Sequence, residues 1–427
     1  MNPSYRIETL ALHAGQEPDP ATGARAVPVY RTSSYVFRDT AHAARLFALE
    51  EPGHIYTRMM NPTQDVLEKR MAALEGGAAA LAFASGTAAV FNTLVNICGQ
   101  GDEVVSFRNL YGGTYTMFDA LLPQLGIRVI WVPPNDSAAL QAALGERTRA
   151  VFVETIGNPA LDVTDLEAVA AVTRKAHVPL IADSTFTTPY LLRPLEHGAD
   201  IVVHSLTKWL GGHGTGIGGV VVDGGRFDWS DPKFTLYNEP DPGYHGLRFA
   251  RDLGDLNAQA FIQRLRLVPL RNLGASISPD NAWAFLQGIE TLPLRMQRHC
   301  ENAMAVAELL AGHPEVSWVR YPGLSSDPGH AAAKRYLPRG CGGMVVFGRK
   351  GRSDRGPAFI ERLGLISHLA NVGDAKSLAI HPASTTHAQL TPEQQREAGI
   401  TPDLIRLSIG IENIEDILDD IKRALAS

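Results

Sequence analysis

The feature that most limits the possible folds is the alternation of apolar, β-branched runs with helical stretches between about residues 63 and 223. The runs predict strands at 102–107 (DEVVSF), 128–132 (RVIWV), 150–154 (AVFVE), 178–183 (VPLIAD), 199–203 (ADIVV) and 218–222 (GGVVV). Between them, apolar residues such as Leu166, Val169 and Ala170 recur at helical spacing. Strands that are apolar along their whole length are typical of sheets covered on both faces. The alternation therefore predicts an α/β fold with a largely parallel sheet.

This rhythm changes at three places along the chain. Residues 1–60 are irregular and predict an arm, whereas residues 224–262 predict a long loop that is either a surface excursion or a functional cover. From about residue 279, one or two long helices broken near Pro293 precede the apolar runs GGMVVFGRK and LIRLSIGIE. We therefore predict an arm at 1–60, a large α/β domain at 61–278 and a smaller C-terminal α/β domain at 279–427.

Charge and cysteine content exclude several classes of protein. The net charge is −6 and the pI about 6.2, so we expect no nucleic-acid partner and no anionic membrane partner. Cys98, Cys300 and Cys341 are too widely spaced for a disulfide framework or a metal cluster, and we expect reduced thiols in a cytoplasmic protein. The apolar stretch 78–98 contains hydroxyl and amide residues, so no membrane span is predicted. No histidine or cysteine spacing predicts a metal site.

Two reactive side chains follow predicted strands. Asp183 ends the strand at 178–183, and Lys208 follows the strand at 199–203 within the sequence HSLTKWLGGHG. Ligands of open parallel sheets bind beyond the carboxyl ends of the strands, so we expect both residues at one site. Alone, a lysine is usually a solvated surface charge, and an aspartate at this place is often a turn residue.

A third strand end predicts a phosphate site. Ser85, Gly86 and Thr87 open a helix, and a helix N-terminus offers unpaired N–H groups and a favourable dipole to a phosphate. Ser205 and Thr207, close to Lys208 in the sequence, could add hydroxyl donors to the same anion. The alternative is a purely structural role for Ser85 as a helix cap.

Together these groups match the requirements of pyridoxal phosphate. The amine of a lysine forms a Schiff base with the cofactor aldehyde, and a carboxylate keeps the pyridine nitrogen protonated so that the ring withdraws electrons. Tyr111, just after the strand at 102–107, is the aromatic residue expected over that ring, although a lone tyrosine is more often a packed core residue. The rival hypothesis is a nicotinamide oxidoreductase, based on GTGIGG at 214–219. That motif should open a helix, and here a predicted strand follows it.

The segment DIVVHSLTKWLGGHG, 200–214, resembles the lysine signature of the Cys/Met-metabolism family of pyridoxal-phosphate enzymes. Other segments that resemble the family follow in order: YTRMMNPT (56–63), FASGTAA (83–89), YGGTY (111–115), ETIGNP (154–159), IADST (181–185), ETLPLRM (290–296), HPASTTH (381–387) and IRLSIGIE (405–412). The resemblance therefore covers nearly the whole chain.

The resemblance implies an aspartate-aminotransferase-like (fold type I) protein with a mixed sheet in the large, cofactor-binding domain. It also implies a homotetramer built from two tight dimers, in which Tyr56 and Arg58 of the arm reach the cofactor phosphate of the neighbouring subunit. Arg406 would bind the substrate α-carboxylate, a role suited to its bidentate geometry, with Asn158 and Ser384 nearby. Without the resemblance, these five would be taken for surface, salt-bridge, turn or loop residues.

Within the family, three features resemble the O-acetylhomoserine sulfhydrylases. Gly113 stands where methionine γ-lyases have cysteine, the segment containing Asn371 and Asp374 replaces a Ser-Leu-Gly-Gly segment of shorter members, and the 224–262 segment resembles a longer loop. The expected reactants are an amino-acid ester and sulfide or a thiol. An O-succinyl ester, cystathionine γ-synthase activity, methionine γ-lyase activity and a catalytically silent member remain alternatives.

The same parts predict a course for the reaction. Lys208, freed from the cofactor by the substrate amine, would take the α-proton while the ring held by Asp183 accommodates the charge. Lys208, with Tyr111, would then move a β-proton as acetate leaves and sulfide adds. This role requires a lysine whose pKa is lowered.

Overall fold

The computed structural model describes residues 5–351, 355–386, 388, 391–397 and 399–426. The first four residues of the predicted arm lie outside the described residues. So does His387, the last residue of the family segment 381–387.

Twelve strands occur in the described residues. They are β1 (Ala79–Phe83), β2 (Glu103–Phe107), β3 (Arg128–Val132), β4 (Thr148–Glu154), β5 (Leu180–Asp183), β6 (Ile201–Ser205), β7 (Gly219–Asp223), β8 (Val316–Arg320), β9 (Met344–Arg349), β10 (Ser367–His368), β11 (Leu378–Ile380) and β12 (Leu404–Ser408). All six strands predicted between 102 and 222 are present within a few residues of their predicted bounds, whereas β1 was not predicted.

The α-helices alternate with these strands. They are α1 (Ile7–His13), α2 (Thr40–Phe47), α3 (Pro62–Glu75), α4 (Gly86–Ile97), α5 (Gly112–Thr116), α6 (Ser137–Ala143), α7 (Leu166–Lys175), α8 (Thr188–Leu191), α9 (Thr235–Asn238), α10 (Ala260–Leu265), α11 (Arg271–Leu273), α12 (Pro279–Glu290), α13 (Leu292–Ala311), α14 (His330–Tyr336), α15 (Arg355–Glu361), α16 (Pro392–Glu397) and α17 (Ile414–Leu425). Short 3-10 or π turns lie at Met117–Leu121, Leu122–Leu125, Pro194–His197, Gly254–Gln259, Arg266–Leu270 and Pro382–Ser384.

Seven strands form a sheet in the order β1-β7-β6-β5-β4-β2-β3. Strand β2 pairs in parallel with both β3 and β4, and β4 pairs in parallel with β5. Strand β1 instead pairs antiparallel with β7, with Phe83 opposite Gly219. The sheet is therefore mixed, as the family resemblance implied, and largely parallel, as the apolar runs predicted.

One compact unit comprises Met1–Cys98, Val203–Thr207 and Thr215–Glu290. Helix α3 shows why its boundaries fall where they do: the Asn61 side chain accepts from Thr63 N at 2.9 Å, Pro62 occupies the first turn, and Gly76 ends the helix with a φ of 73°. The predicted arm contains two helices, α1 and α2, rather than irregular chain only. Ile7, Leu10 and Ala11 of α1 are buried, so part of the arm contributes to a core.

The segment 224–262 in this unit has an aromatic centre. Trp229 stacks on Tyr237 with ring centroids 4.4 Å apart and on Phe261 at 5.5 Å. The Tyr237 hydroxyl accepts a hydrogen bond of 2.8 Å from Asn96 of α4. Tyr237 and Phe249 are fully buried, so this part of the segment is a packed element and not a surface excursion.

The other unit comprises Gly99–Val202, Lys208–Gly214 and Thr291–Ser427. Besides β2–β5 it contains a second sheet in the order β10-β11-β12-β9-β8, in which the central strands are antiparallel. The predicted break near Pro293 is confirmed, because Thr291 separates α12 from α13. The five-stranded sheet packs with α13 and α17 to form a core of this unit, in which Val306, Phe347 and Ile417 are fully buried.

Neither a membrane-spanning helix nor a cluster of metal ligands occurs in the described residues. No helix there has both the length and the apolar content needed to cross a bilayer. No group of three or more histidine, cysteine, aspartate or glutamate side chains in the same residues is arranged to hold a metal ion.

Candidate active site

The N-terminus of α4 presents backbone N–H groups at a tightly packed turn. The Ser85 hydroxyl caps the helix by accepting from Ala88 N at 3.0 Å. The N–H groups of the first helical residues have no partner inside a helix, which leaves those of Gly86 and Thr87 directed outward. Ser85 and Gly86 are half-buried and Thr87 is exposed, and the turn opens a helix as predicted. Anion binding at this turn stays a prediction.

Glycine is required at two positions of this turn. A Cβ on Gly86 would lie 2.7 Å from Ser205 Cβ, and one on Gly219 would lie 2.2 Å from the Ser85 carbonyl oxygen. The structure therefore brings Ser85, Gly86 and Ser205 together within one unit. GTGIGG is followed by β7, not by a helix, so the dinucleotide motif lacks the structure it needs.

Thr207 has a different immediate contact. Its hydroxyl accepts from Gly218 N at 3.1 Å and lies 3.3 Å from Gly218 O, to which it donates. A hydroxyl has one hydrogen, so a phosphate would compete with this carbonyl for it.

Tyr56 and Arg58 lie side by side on the surface of the same unit. Tyr56 is 42% exposed, and the Arg58 guanidinium carbon lies 5.4 Å from the Tyr56 ring centroid. Both side chains are exposed, a placement that allows contact with another subunit.

Lys208 begins the stretch of the other unit that follows β6. Its amine donates to Asn371 Oδ1 at 2.6 Å. Burial, and then the positive charge of Arg406, lower the pKa of the amine to about 8. Burial disfavours the ammonium form, and a nearby like charge does so too. This is the lowered pKa that proton transfer by Lys208 requires.

Trp209, the next residue, anchors this turn. It is fully buried and meets Phe186 edge-on, with ring centroids 5.1 Å apart. The backbone carbonyl of Trp209 accepts from Arg295 Nη1 at 2.7 Å. The backbone that carries Lys208 is therefore fixed by packing on one side and by a buried guanidinium on the other.

Arg406 lies in β12 and is 5% exposed. Its Nη1 donates to Asn158 Oδ1 at 3.1 Å, and burial lowers the pKa of its guanidinium to about 10. Asn158 is itself 3% exposed. Its bond involves only Nη1 of Arg406, so the other guanidinium nitrogens can donate to a further ligand. A buried guanidinium held by a neutral partner can accept a carboxylate as its counter-ion.

Asp183 and Glu154 form a pair of carboxyl groups at neighbouring strand ends. They stand opposite each other in the register of β4 and β5. Glu154 Oε1 accepts from Tyr111 N at 2.6 Å. Burial, and then the charge of Asp183, raise the pKa of Glu154 well above its ordinary value, against the opposing effect of the backbone N–H groups of Tyr111 and Asn158. Glu154 thus binds the loops that carry two predicted site residues, and sequence reasoning did not identify it.

Tyr111 follows β2 and is the N-cap residue of α5. It is 47% exposed, and its ring lies against Gly113, where a Cβ would come 2.6 Å from the ring. The tyrosine is thus not a core residue, and its ring orientation depends on the absence of a side chain at position 113.

Ser384 is set apart from these contacts. It is exposed, and its hydroxyl lies 2.8 Å from His381 Nδ1, which fixes the short turn after β11. A direct role for Ser384 stays a prediction.

The comparisons with known proteins agree with the resemblance. A sequence model of the family described as "Cys/Met metabolism PLP-dependent enzyme" matches residues 8–426. The chain is 56% identical to the O-acetyl-L-homoserine sulfhydrylase of Leptospira meyeri, over 99% of this chain and 97% of the relative. It is 54% identical to the homocysteine synthase of Schizosaccharomyces pombe, over 99% of this chain and 98% of the relative.

A solved structure is similar over the full length. It is a crystal structure described as an O-acetylhomoserine (thiol)-lyase from Campylobacter jejuni with N'-pyridoxyl-lysine-5'-monophosphate. The TM-score is 0.96 at 39% identity, covering 99% of this chain and 100% of the other. The predicted fold type is thereby confirmed.

Proposed function

Because the chain belongs to the Cys/Met-metabolism family of pyridoxal-phosphate-dependent enzymes, we propose that it catalyses γ-replacement on O-acetyl-L-homoserine. Sulfide replaces acetate, so that a Cγ–S bond forms as the Cγ–O bond breaks, and the products are L-homocysteine and acetate. The observation that carries this proposal is the identity of 53–56% over 99% of the chain with proteins named as O-acetyl-L-homoserine sulfhydrylases or homocysteine synthase.

The contact between Tyr111 and Gly113 supports the choice within the family. Methionine γ-lyases have cysteine at the position of Gly113. A side chain at this position would collide with the Tyr111 ring as it lies here. The ring position is therefore specific to a chain with glycine at this place, and this favours the sulfhydrylase over the γ-lyase.

The residues present fit pyridoxal phosphate. The outward N–H groups of Gly86 and Thr87 suit its phosphate, and Lys208 combines a half-buried amine with a pKa lowered to about 8. Asp183, at the end of β5, supplies the carboxylate that a pyridine nitrogen requires. The Tyr111 ring is exposed enough to stack on a planar ligand.

We assign the holding roles accordingly. Ser85, Gly86, Thr87 and Ser205 would hold the phosphate, with Thr207 joining them if it releases Gly218. Asp183 would hold the pyridine nitrogen, Tyr111 would face the ring, and Lys208 would hold the cofactor through its aldehyde. Arg406, oriented by Asn158, binds the α-carboxylate of the amino-acid substrate, with Ser384 near the same substrate.

Bound pyridoxal phosphate supplies an electron-withdrawing ring that stabilises negative charge at the substrate α-carbon. The amine of Lys208, poised by its lowered pKa, takes the α-proton and later moves a β-proton. Arg406 would hold the substrate carboxylate and so limit the positions that the substrate can take relative to Lys208. Tyr111 assists the proton transfer that accompanies departure of acetate.

The decisive experiment uses the purified enzyme and separates replacement from elimination. O-acetyl-L-homoserine is incubated with and without sulfide, and homocysteine and 2-oxobutyrate are quantified. In parallel reactions, O-succinyl-L-homoserine replaces the acetyl ester and methanethiol replaces sulfide. Homocysteine that depends on sulfide, with little oxoacid, supports the proposal. Oxoacid formed regardless of sulfide would make the protein a γ-lyase, and preference for the succinyl ester would overturn the assigned substrate.

We also propose a homotetramer of two dimers with shared active sites. The exposed pair Tyr56 and Arg58, which is accessible to another subunit, supports the shared site. Co-expression of differently tagged Arg58→Ala and Lys208→Ala chains tests this proposal. Each variant alone should be inactive. In randomly assembled dimers one site in each mixed pair keeps both side chains, so the mixture should regain about a quarter of wild-type activity. No recovery, or a monomer in sedimentation velocity, would contradict the shared site.

We place the enzyme in the cytoplasm on the basis of its thiols. Cys98, Cys300 and Cys341 form no disulfide in the described part of the chain, and burial raises the pKa of Cys300 to about 12. Cysteines outside disulfides are typical of a reducing compartment.

A further inference from the structure

The amine of Lys208 has an acceptor in Asn371, a residue to which neither the sequence motifs nor the comparisons give a role. Asn371 Oδ1 accepts from Lys208 Nζ at 2.6 Å. An asparagine oxygen is uncharged, so it orients an amine without adding the negative charge that would favour the ammonium form.

The segment 371–377, which we call the asparagine loop, is bound to the same turn that carries Lys208. Ala375 N donates to Gly212 O at 2.8 Å, and Gly373 N donates to Ser408 Oγ at 2.9 Å. Gly373 has a φ of +76°, and a Cβ there would lie 2.6 Å from Trp209 N. The backbones that carry Asn371 and Lys208 are therefore held close together, and the bond between the two side chains forms within this fixed frame.

The charges around the amine make this neutral contact important. Arg406 is the cation that faces Lys208 and, with burial, lowers its pKa. Asp374, on the asparagine loop, is turned toward Gly214: a Cβ at that glycine would lie 2.6 Å from Asp374 Oδ2. Asp374 Oδ1 also accepts a hydrogen bond of 3.0 Å from Lys376 N and lies 3.7 Å from the Lys376 amine. The loop thus presents an amide oxygen to Lys208 and turns its carboxylate to other partners.

We propose that Asn371 is the positioning residue for Lys208, holding its amine in a fixed direction whenever that amine is not bonded to the cofactor. This inference rests on the proposed function only in taking Lys208 as the lysine that the cofactor engages. It predicts that the pKa of Lys208 depends on residue 371 and is highest with aspartate, lower with asparagine and lowest with leucine.

The test measures Lys208 itself, in the protein without cofactor. Wild type, Asn371→Asp and Asn371→Leu are treated with acetic anhydride across pH 6 to 10, and acetylation of Lys208 is followed by mass spectrometry. At neutral pH the Asp variant should react at least about tenfold more slowly, because a carboxylate in contact raises the pKa of an amine by about 1 to 3. The Leu variant should react about threefold faster, because it loses an acceptor that favours the ammonium form.

Lys376 provides the matched controls. It lies on the asparagine loop with its side chain 75% exposed, so its labelling rate in each variant is the internal reference for reagent and pH. Lys376→Ala should leave the Lys208 profile unchanged. Circular dichroism separates folded from unfolded variants, and Asn371→Ser replaces the Leu variant if that protein does not fold.

Two results would overturn the inference. One is labelling of Lys208 within twofold of wild type in both Asn371 variants; the other is a change in the same direction in both. Failure of the proposed function is distinguishable, because it appears as wild-type enzyme that makes no homocysteine while the ordered shift at Lys208 is still observed.

Discussion

Replacing Glu154 by glutamine should change how the stability of the protein depends on pH. Glu154 is 6% exposed and faces Asp183 at the end of the neighbouring strand. Burial, followed by the Asp183 charge, raises its pKa in the folded protein well above its ordinary value. Between the unfolded and the folded pKa, the folded protein therefore binds more protons at this position than the unfolded chain does.

The sign and size of the effect follow from that difference. When the folded state binds the extra proton, the free energy of unfolding falls as pH rises, by up to about 1.4 kcal/mol per pH unit. Glutamine does not titrate, so the wild type should lose up to about 2.7 kcal/mol relative to Glu154→Gln over two pH units above the unfolded pKa. The glutamine amide also disturbs one backbone contact at 154, at a cost of about 1–3 kcal/mol that does not vary with pH.

The assay is urea denaturation of cofactor-free protein at one fixed concentration, from pH 5 to pH 7.5. Asp420→Asn is the control. Burial alone would raise the pKa of Asp420, but the backbone N–H groups of Ile366, Gly364 and Leu365, and then Arg423, lower it. Asp420 is thus ionised in both states throughout this range, and its difference from wild type should be constant. A constant difference for Glu154→Gln as well would refute the reasoning about the carboxyl pair.

Three further predictions concern catalysis. Lys208→Ala should reduce turnover by at least about 10²–10⁴-fold and leave no visible absorption band that borohydride can discharge; wild-type rates would remove Lys208 from the mechanism. Arg406→Met should lower kcat/KM for the ester by roughly 10²-fold through loss of the charged hydrogen bonds. Because Arg406 is the smaller of the two causes acting on Lys208, the same change should raise the pKa of that amine by less than half of its total lowering, as read from acetylation. Gly113→Cys should displace the Tyr111 ring and lower the ratio of homocysteine to 2-oxobutyrate; an unchanged ratio would separate ring position from reaction choice.

Most of the seven-stranded sheet was predictable because its strands are apolar and β-branched. Strand β1, Ala79–Phe83, was missed since alanine is a weak strand former, and its place is decided by pairing with β7 rather than by its own sequence. Helix α1 was also missed, although the spacing of Ile7, Leu10 and Ala11 is helical and was available in the sequence.

The candidate site was predictable where a residue follows a strand or opens a helix. Lys208, Asp183 and the turn at Ser85 belong to that class. The contact between Asn371 and Lys208 joins residues far apart in the chain, and no local pattern reports such a pair. Glu154 looked like an ordinary strand end, because the raised pKa comes from burial and from Asp183 across the sheet.

The burial of Trp209 beside Lys208 has an optical consequence. An indole held rigidly among Phe186 and Gly373 emits in the near ultraviolet, where a pyridoxal group on the adjacent lysine absorbs. Excitation energy would pass from the indole to that group, and emission would recover when the cofactor leaves the protein. The chain thereby carries its own fluorescent reporter one residue away from the reacting amine.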